Sequence, residues 1–139
     1  MKTDLRRKDL LYPELSYKII GVLFDVFNSL GYHYQEKYYQ RAVSQMFKEL
    51  GIVHEEQVYT PIEFRGKNIG NYFFDFLVDS KIILEIKRGD KFSRSDIIQT
   101  LAYLKRSGLS LAILARFSSK GIQYKRILND PDSYVRKDS

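Results

Sequence analysis

Between residues 12 and 30, Leu15, Ile19, Val22 and Val26 recur at helical spacing, with Ile20, Phe24 and Phe27 on an adjoining stripe. A period near 3.6 with one apolar side predicts a helix that buries that side. Pro13 suits its first turn, where a missing N–H is no loss, and Gly31 is placed to end it. A second helix is expected over roughly residues 34–50, with Ala42, Met46 and Leu50 on one stripe and Gly51 beyond. The period then drops to two. Strands are predicted over residues 53–64, interrupted near Pro61, then 69–78 and 81–87, with a turn at 65–68. Gly89 and Asp90 break the pattern. Ser93 or Ser95 is a candidate cap for a third helix over about 95–107, closed by Gly108. Residues 109–117 form an apolar strand, and 122–128 a last strand or a short helix. The order is ααβββαβ with an uncertain final element.

Two of these strands are apolar on both faces. Phe74, Phe76 and Val78 alternate with Phe73 and Leu77, and Ile82, Leu84 and Ile86 alternate with Ile83. A sheet built from them must be covered on both sides, which predicts an α/β fold with helices around a central sheet. The chain shows no repeat, low-complexity tract or linker, so residues 1–139 are expected to form one domain with a core over about 12–128 and frayed ends.

Composition narrows the chemistry. The 139 residues include no Cys and two His, His33 and His54. Disulfides, cysteine-ligated metals and cysteine nucleophiles are excluded, and a histidine-rich centre is not expected. No apolar run has the ~20 residues of a membrane helix, and the first ten residues lack the apolar core of a signal peptide, so a cytoplasmic protein is expected. The net charge of +6 is uneven: residues 81–126 carry 11 Lys and Arg against 3 acids, and the remainder has an acidic excess of two. That basic half suits a polyanionic partner such as nucleic acid.

Asp75, Glu85 and Lys87 stand out inside these apolar strands. Burying a charge costs several kcal/mol unless it is paired or bound to metal. An exposed cross-strand ion pair is the simplest alternative, but strands apolar on both faces argue against exposure. Period two puts Glu85 and Lys87 on one face and Ile86 on the other. A two-residue loop at Asp79 and Ser80 would set Asp75 opposite Leu84. A three-residue loop ending at Lys81 sets Asp75 opposite Glu85 on a shared face, and that register, or a bulge with the same effect, is predicted. Two carboxylates about 5 Å apart repel one another. A hard divalent cation with oxygen ligands relieves the repulsion, and Mg2+ commonly binds through one or two carboxylates plus waters and substrate phosphate. Lys87 is placed to stabilise charge on a phosphate or to position water.

The sequence of Asp75, nine residues, then Glu85-Ile86-Lys87 resembles the PD-(D/E)XK nuclease superfamily, without the Pro of the family signature. Gln99, opening the run QTLAYLK, is similar to the Gln-x-x-x-Tyr helix of many members. More closely, the chain resembles the GxxExxY proteins through LGYHYQEKYYQRAV at 30–43, YTPIEFRGKNIGNYFFDFLVDSKIILEIK at 59–87 and QTLAYLKRSGLSLAILARF at 99–117. It departs from them at His33, which stands where the first Gly of His33-x-x-Glu36-x-x-Tyr39 is expected, and at Asn71 and Tyr72, where many relatives place a charge.

The resemblance implies a restriction-endonuclease-like fold and a Mg2+-dependent nuclease, with Mn2+ as a substitute ion, acting on DNA in preference to RNA. It implies that Asp75 and Glu85 hold the metal with the Ile86 carbonyl, that Lys87 contacts the scissile phosphate, that Glu36 approaches the metal, and that Gln99 orients Lys87 or a phosphate. Lys91, Arg94, Lys105 and Arg106 flank this site in sequence and are candidates for tracking a phosphate backbone. Tyr39 and Tyr103 are expected to pack, as are the aromatics at 72–74. A homodimer is expected, because cutting both strands with one small domain needs two copies. The competing reading is a nucleic-acid-binding or protein-interaction module that keeps the fold without turnover.

Overall fold

A computed structural model describes residues 11–129; the ends read as frayed lie outside that range. Among the described residues two helices come first, α1 (Pro13–Leu30) and α2 (Glu36–Glu49), followed by strands β1 (His54–Phe64), β2 (Lys67–Val78) and β3 (Ile82–Arg88). Helix α3 (Arg94–Ser107) then leads to β4 (Leu111–Ser118) and β5 (Gly121–Leu128). The five strands form one sheet in sequence order. Only the β3–β4 pair, joined through α3, is parallel; the other neighbours are antiparallel.

Both faces of the sheet are covered. Phe76, Val78, Ile82, Leu84 and Ile86 pack with Ile19, Leu23, Val43 and Phe47 of α1 and α2. On the other face Phe74, Ile83, Ala112 and Leu114 pack with Leu101 and Leu104 of α3. All eight residues of β4 are buried, as a parallel strand between two helical layers requires. Tyr39 fills the first layer, its ring stacked on Phe117 at 4.2 Å and its hydroxyl donating to the Gly31 carbonyl at 2.5 Å. Tyr103 packs at 4.7 Å on Phe74.

Several boundaries differ from the sequence expectation. The β1–β2 turn is two residues, Arg65 and Gly66, both at positive φ, with Phe64 paired to Lys67. That is the backbone a tight hairpin demands, and it lengthens β2 at its start. Strand β1 runs through Pro61, paired with Asn71, because β1 lies at the sheet edge, where a residue without an N–H is tolerated; the register slip falls one residue later, between Ile62 and Glu63. The final element is a strand, pairing along the whole length of β4. Phe73 is exposed beside Tyr59 at 5.6 Å, not packed in the core.

Candidate active site

The β2–β3 loop is the three-residue one. Val78 pairs with Ile82, Leu77 with Ile83 and Phe76 with Leu84, which brings Asp75 level with Glu85. There the ladder stops. Phe74 and Phe76, two residues apart, lie in opposite core layers, so β2 turns over at Asp75. On β1, Gln57 stands at the matching level with φ of 53°, a backbone conformation that costs a non-glycine residue energy. The two carboxylates therefore do not stand side by side on one face, as a regular ladder would place them. They meet in the gap where β2 peels away from β3.

Reciprocal bonds fill that gap. The Asp75 N–H donates to Glu85 Oε1 at 2.9 Å, and the Ile86 N–H donates to Asp75 Oδ2 at 2.7 Å. Gln40 of α2 donates to Asp75 Oδ1 at 2.9 Å and reaches Glu36 Oε2 at 3.3 Å. From the α3 side, the Tyr72 hydroxyl donates to Glu85 Oε2 at 2.5 Å. Lys87 Nζ lies 3.7 Å from Glu85 Oε2 and 3.9 Å from Asp96 Oδ1, in the first turn of α3. Glu85 and Lys87 share the α3 face, as period two requires, and β4 braces them through the register pairs Glu85–Leu114 and Lys87–Arg116.

Asp75 is 6% exposed and Glu85 4%. Burial, then the facing charge of Glu85, pushes the Asp75 carboxyl up to about 8, against the stabilising Ile86 N–H. Burial raises Glu85 as well, opposed by the Tyr72 hydroxyl, the Asp75 N–H and the Lys87 ammonium. Burial also disfavours the Lys87 charge, but Glu85, Asp96, Glu36 and Asp75 together outweigh it and hold the ammonium above its ordinary range. Tyr72 is raised by burial and then by its bond to Glu85. The gap is thus a buried site with an excess of negative charge.

The structure brings Asp75, Glu85, Ile86, Lys87 and Glu36 together. Gln99 is half-buried one turn beyond Asp96, and it is Asp96 that lies against Lys87. Lys91 and Arg94 are exposed at the start of α3, and Lys105 and Arg106 are exposed near its end, roughly 16 Å further along the axis. Gln40, Tyr72 and Asp96 join the site without standing out in the sequence. Gln40 had a signal, since it sits one turn after Glu36. Tyr72 reads as one of a run of packing aromatics, and Asp96 as an ordinary first-turn acid.

The donor set suits a hard divalent ion. Each of the four oxygens of Asp75 and Glu85 accepts one bond, which leaves lone-pair capacity on all of them. The Ile86 N–H is turned into the gap, and in an extended strand the carbonyl of the same residue points the same way. Among the described residues no three acidic or imidazole side chains converge to cage an ion. A divalent ion held here would take the two carboxylates and leave its other positions to water and substrate.

A family model of the PD-(D/E)XK nuclease superfamily matches residues 13–127, and the chain belongs to that superfamily. Its mixed sheet, with helices on both faces, is the restriction-endonuclease-like fold. Among solved structures, the crystal structure of SSO0001 is similar with a TM-score of 0.48 and 18% identity, over 72% of this chain and 54% of that one. An alkaline exonuclease (LHK-Exo) from Laribacter hongkongensis is similar with a TM-score of 0.38 and 16% identity, over 73% of this chain and 58% of that one. This chain therefore spans little more than half of either. No curated protein matches the sequence. Among the described residues no helix is long and apolar enough to cross a membrane.

Proposed function

We propose that this protein is a Mg2+-dependent nuclease of the GxxExxY type that hydrolyses phosphodiester bonds in DNA in preference to RNA. The observation that carries the reading is the strand gap in which two buried carboxylates and the Lys87 ammonium meet. Asp75, Glu85 and the Ile86 carbonyl would hold the ion, which, when bound, neutralises phosphate charge and lowers the pKa of water at the site. Gln40 fixes the orientation of Asp75 and ties it to Glu36. The Asp75 carboxyl must give up its proton before the pair can take a cation. Lys87 is held between Glu85 and Asp96, charged at neutral pH, and is the group for the scissile phosphate; Gln99, one turn beyond Asp96 on α3, would assist it in this reading. The basic excess in residues 81–126 favours a polyanionic substrate. A homodimer belongs to this reading where both strands of a duplex are cut.

The test is cleavage of labelled DNA with Mg2+, with Mn2+ in parallel. Glu85→Gln and Lys87→Met are each expected to lower the rate about 100-fold or more while the fold is retained. Rates equal to wild type in both variants would remove the basis of the proposal. A Mg2+ titration should raise the melting temperature, because the ion binds the folded state. No shift and no cleavage, with DNA affinity intact, would identify a non-catalytic binding module instead.

A further inference from the structure

A groove of about 660 Å³ runs between α2 and the β1–β2 ribbon, and Asp75 lines its inner part. It belongs to the α2 side of the sheet, away from α3 and its cations. Lys37, Arg41 and Lys48 line it at positions that share one side of α2. Lys48 is engaged with Glu56 at 3.9 Å. Lys37 and Arg41 form no ion pair among the described residues. Both instead flank the ring of Tyr38, at 5.3 and 5.6 Å from its centroid. Tyr34 stands edge-on to Tyr38 with centroids 6.3 Å apart, and the two rings are 44% and 42% exposed. Tyr32, by contrast, is taken up by Arg88, whose guanidinium lies 4.0 Å from its ring. Open aromatic rings beside cations, here Tyr34 just before α2 and Tyr38, Lys37 and Arg41 in it, are the elements that bind unpaired nucleic acid: bases stack on the rings and phosphates follow the charges.

Base faces are open to such rings only in an unpaired strand, since pairing and stacking occupy them in a duplex. We infer that the α2 groove is the track for single-stranded DNA, which crosses Tyr34 and Tyr38, lays its phosphates on Lys37 and Arg41, and reaches the carboxylate pair at Asp75. This rests on the nuclease reading for its consequence, cleavage at single-stranded ends or gaps, but the binding itself needs no chemistry.

The experiment is fluorescence anisotropy of the full chain in chelator, with a labelled 15-nucleotide strand and its duplex as probes. The single strand should bind at least tenfold tighter than the duplex. Lys37→Glu with Arg41→Glu should weaken single-strand binding at least tenfold. The slope of log K against log salt should shrink by about 1.4, two contacts at roughly 0.7 each. Tyr38→Ala should cost about fivefold or more, the lower end of base–aromatic stacking, with affinity restored by Tyr38→Phe. Equal affinity for duplex and single strand would overturn the inference. So would loss of affinity in Lys91→Glu with Arg94→Glu on α3 and none in the α2 pair. A protein that binds single strands through α2 yet never cleaves with Mg2+ refutes the nuclease reading alone; one that cleaves with a duplex preference refutes only the track.

Discussion

Replacing the titrating carboxyl of Asp75 with an amide should remove the pH dependence of stability that the strand gap creates. Asp75 has an ordinary value of 3.8 and is pushed up to about 8 by burial and the facing Glu85. In the unfolded chain the proton leaves near pH 4; in the folded, metal-free protein it stays until about pH 8. Between those values the folded state binds more protons, so stability falls as pH rises. The shift of about four pH units, at 1.36 kcal/mol each, caps the effect at roughly 6 kcal/mol, and about 4 kcal/mol of it falls between pH 5 and pH 9. Asp75→Asn removes this titration and can keep both contacts. Its carbonyl accepts from the Ile86 N–H, and its amide donates to Gln40 once that side chain turns over. Urea denaturation in chelator from pH 5 to 9 is the assay. Wild type should lose about 4 kcal/mol relative to Asp75→Asn across that range, and saturating Mg2+ should abolish the difference. Parallel curves, with a constant offset between the two proteins, would show that the native state holds no proton at this pair and would refute the electrostatic account of the site.

Three further outcomes are expected. Tyr72→Phe withdraws a donor from the buried Glu85 and should cost about 1–3 kcal/mol at neutral pH by urea denaturation; an unchanged midpoint would mean that the hydroxyl does not hold the carboxylate. Tyr39→Phe loses the bond to the Gly31 carbonyl but keeps the stack on Phe117, so it should cost about 1 kcal/mol, against about 3–5 kcal/mol for Tyr39→Ala, which opens the core; equal losses would contradict that division. Asp96→Asn removes an anion from beside Lys87, and an NMR titration of the ammonium should show its pKa lowered from wild type; no change would place Lys87 out of reach of α3.

The route from sequence to site was short in some places and closed in others. The three-residue loop between β2 and β3 was legible because only that length keeps Asp75 level with Glu85, and the pairing of Val78 with Ile82 follows it. The two-sided burial of β3 was legible because apolar residues occupy both parities; on β2 the same reading fails at Phe73, which is exposed. The reversal of β2 at Asp75 was not. Its cause is distributed between Gln57 at positive φ on one neighbour and the parting of β3 on the other, and no period within β2 encodes either. Gln40 and Tyr72 reach the carboxylates across 35 and 13 residues of chain, so their role depends on which helix lies over which face.

Hydrophobic parity is a local property, and burial sums it along each segment. The amino-acid order alone therefore settled that a sheet lies between helical layers and that Asp75 and Glu85 are charges confined inside it, with Lys87 beside them. Whether those charges converge, and what they touch, is decided by contacts between segments distant in the chain. Only the packed molecule turns β2 over, seats α2 above Asp75 and α3 beside Lys87, and so makes three isolated polar positions into one electrostatically coupled pocket.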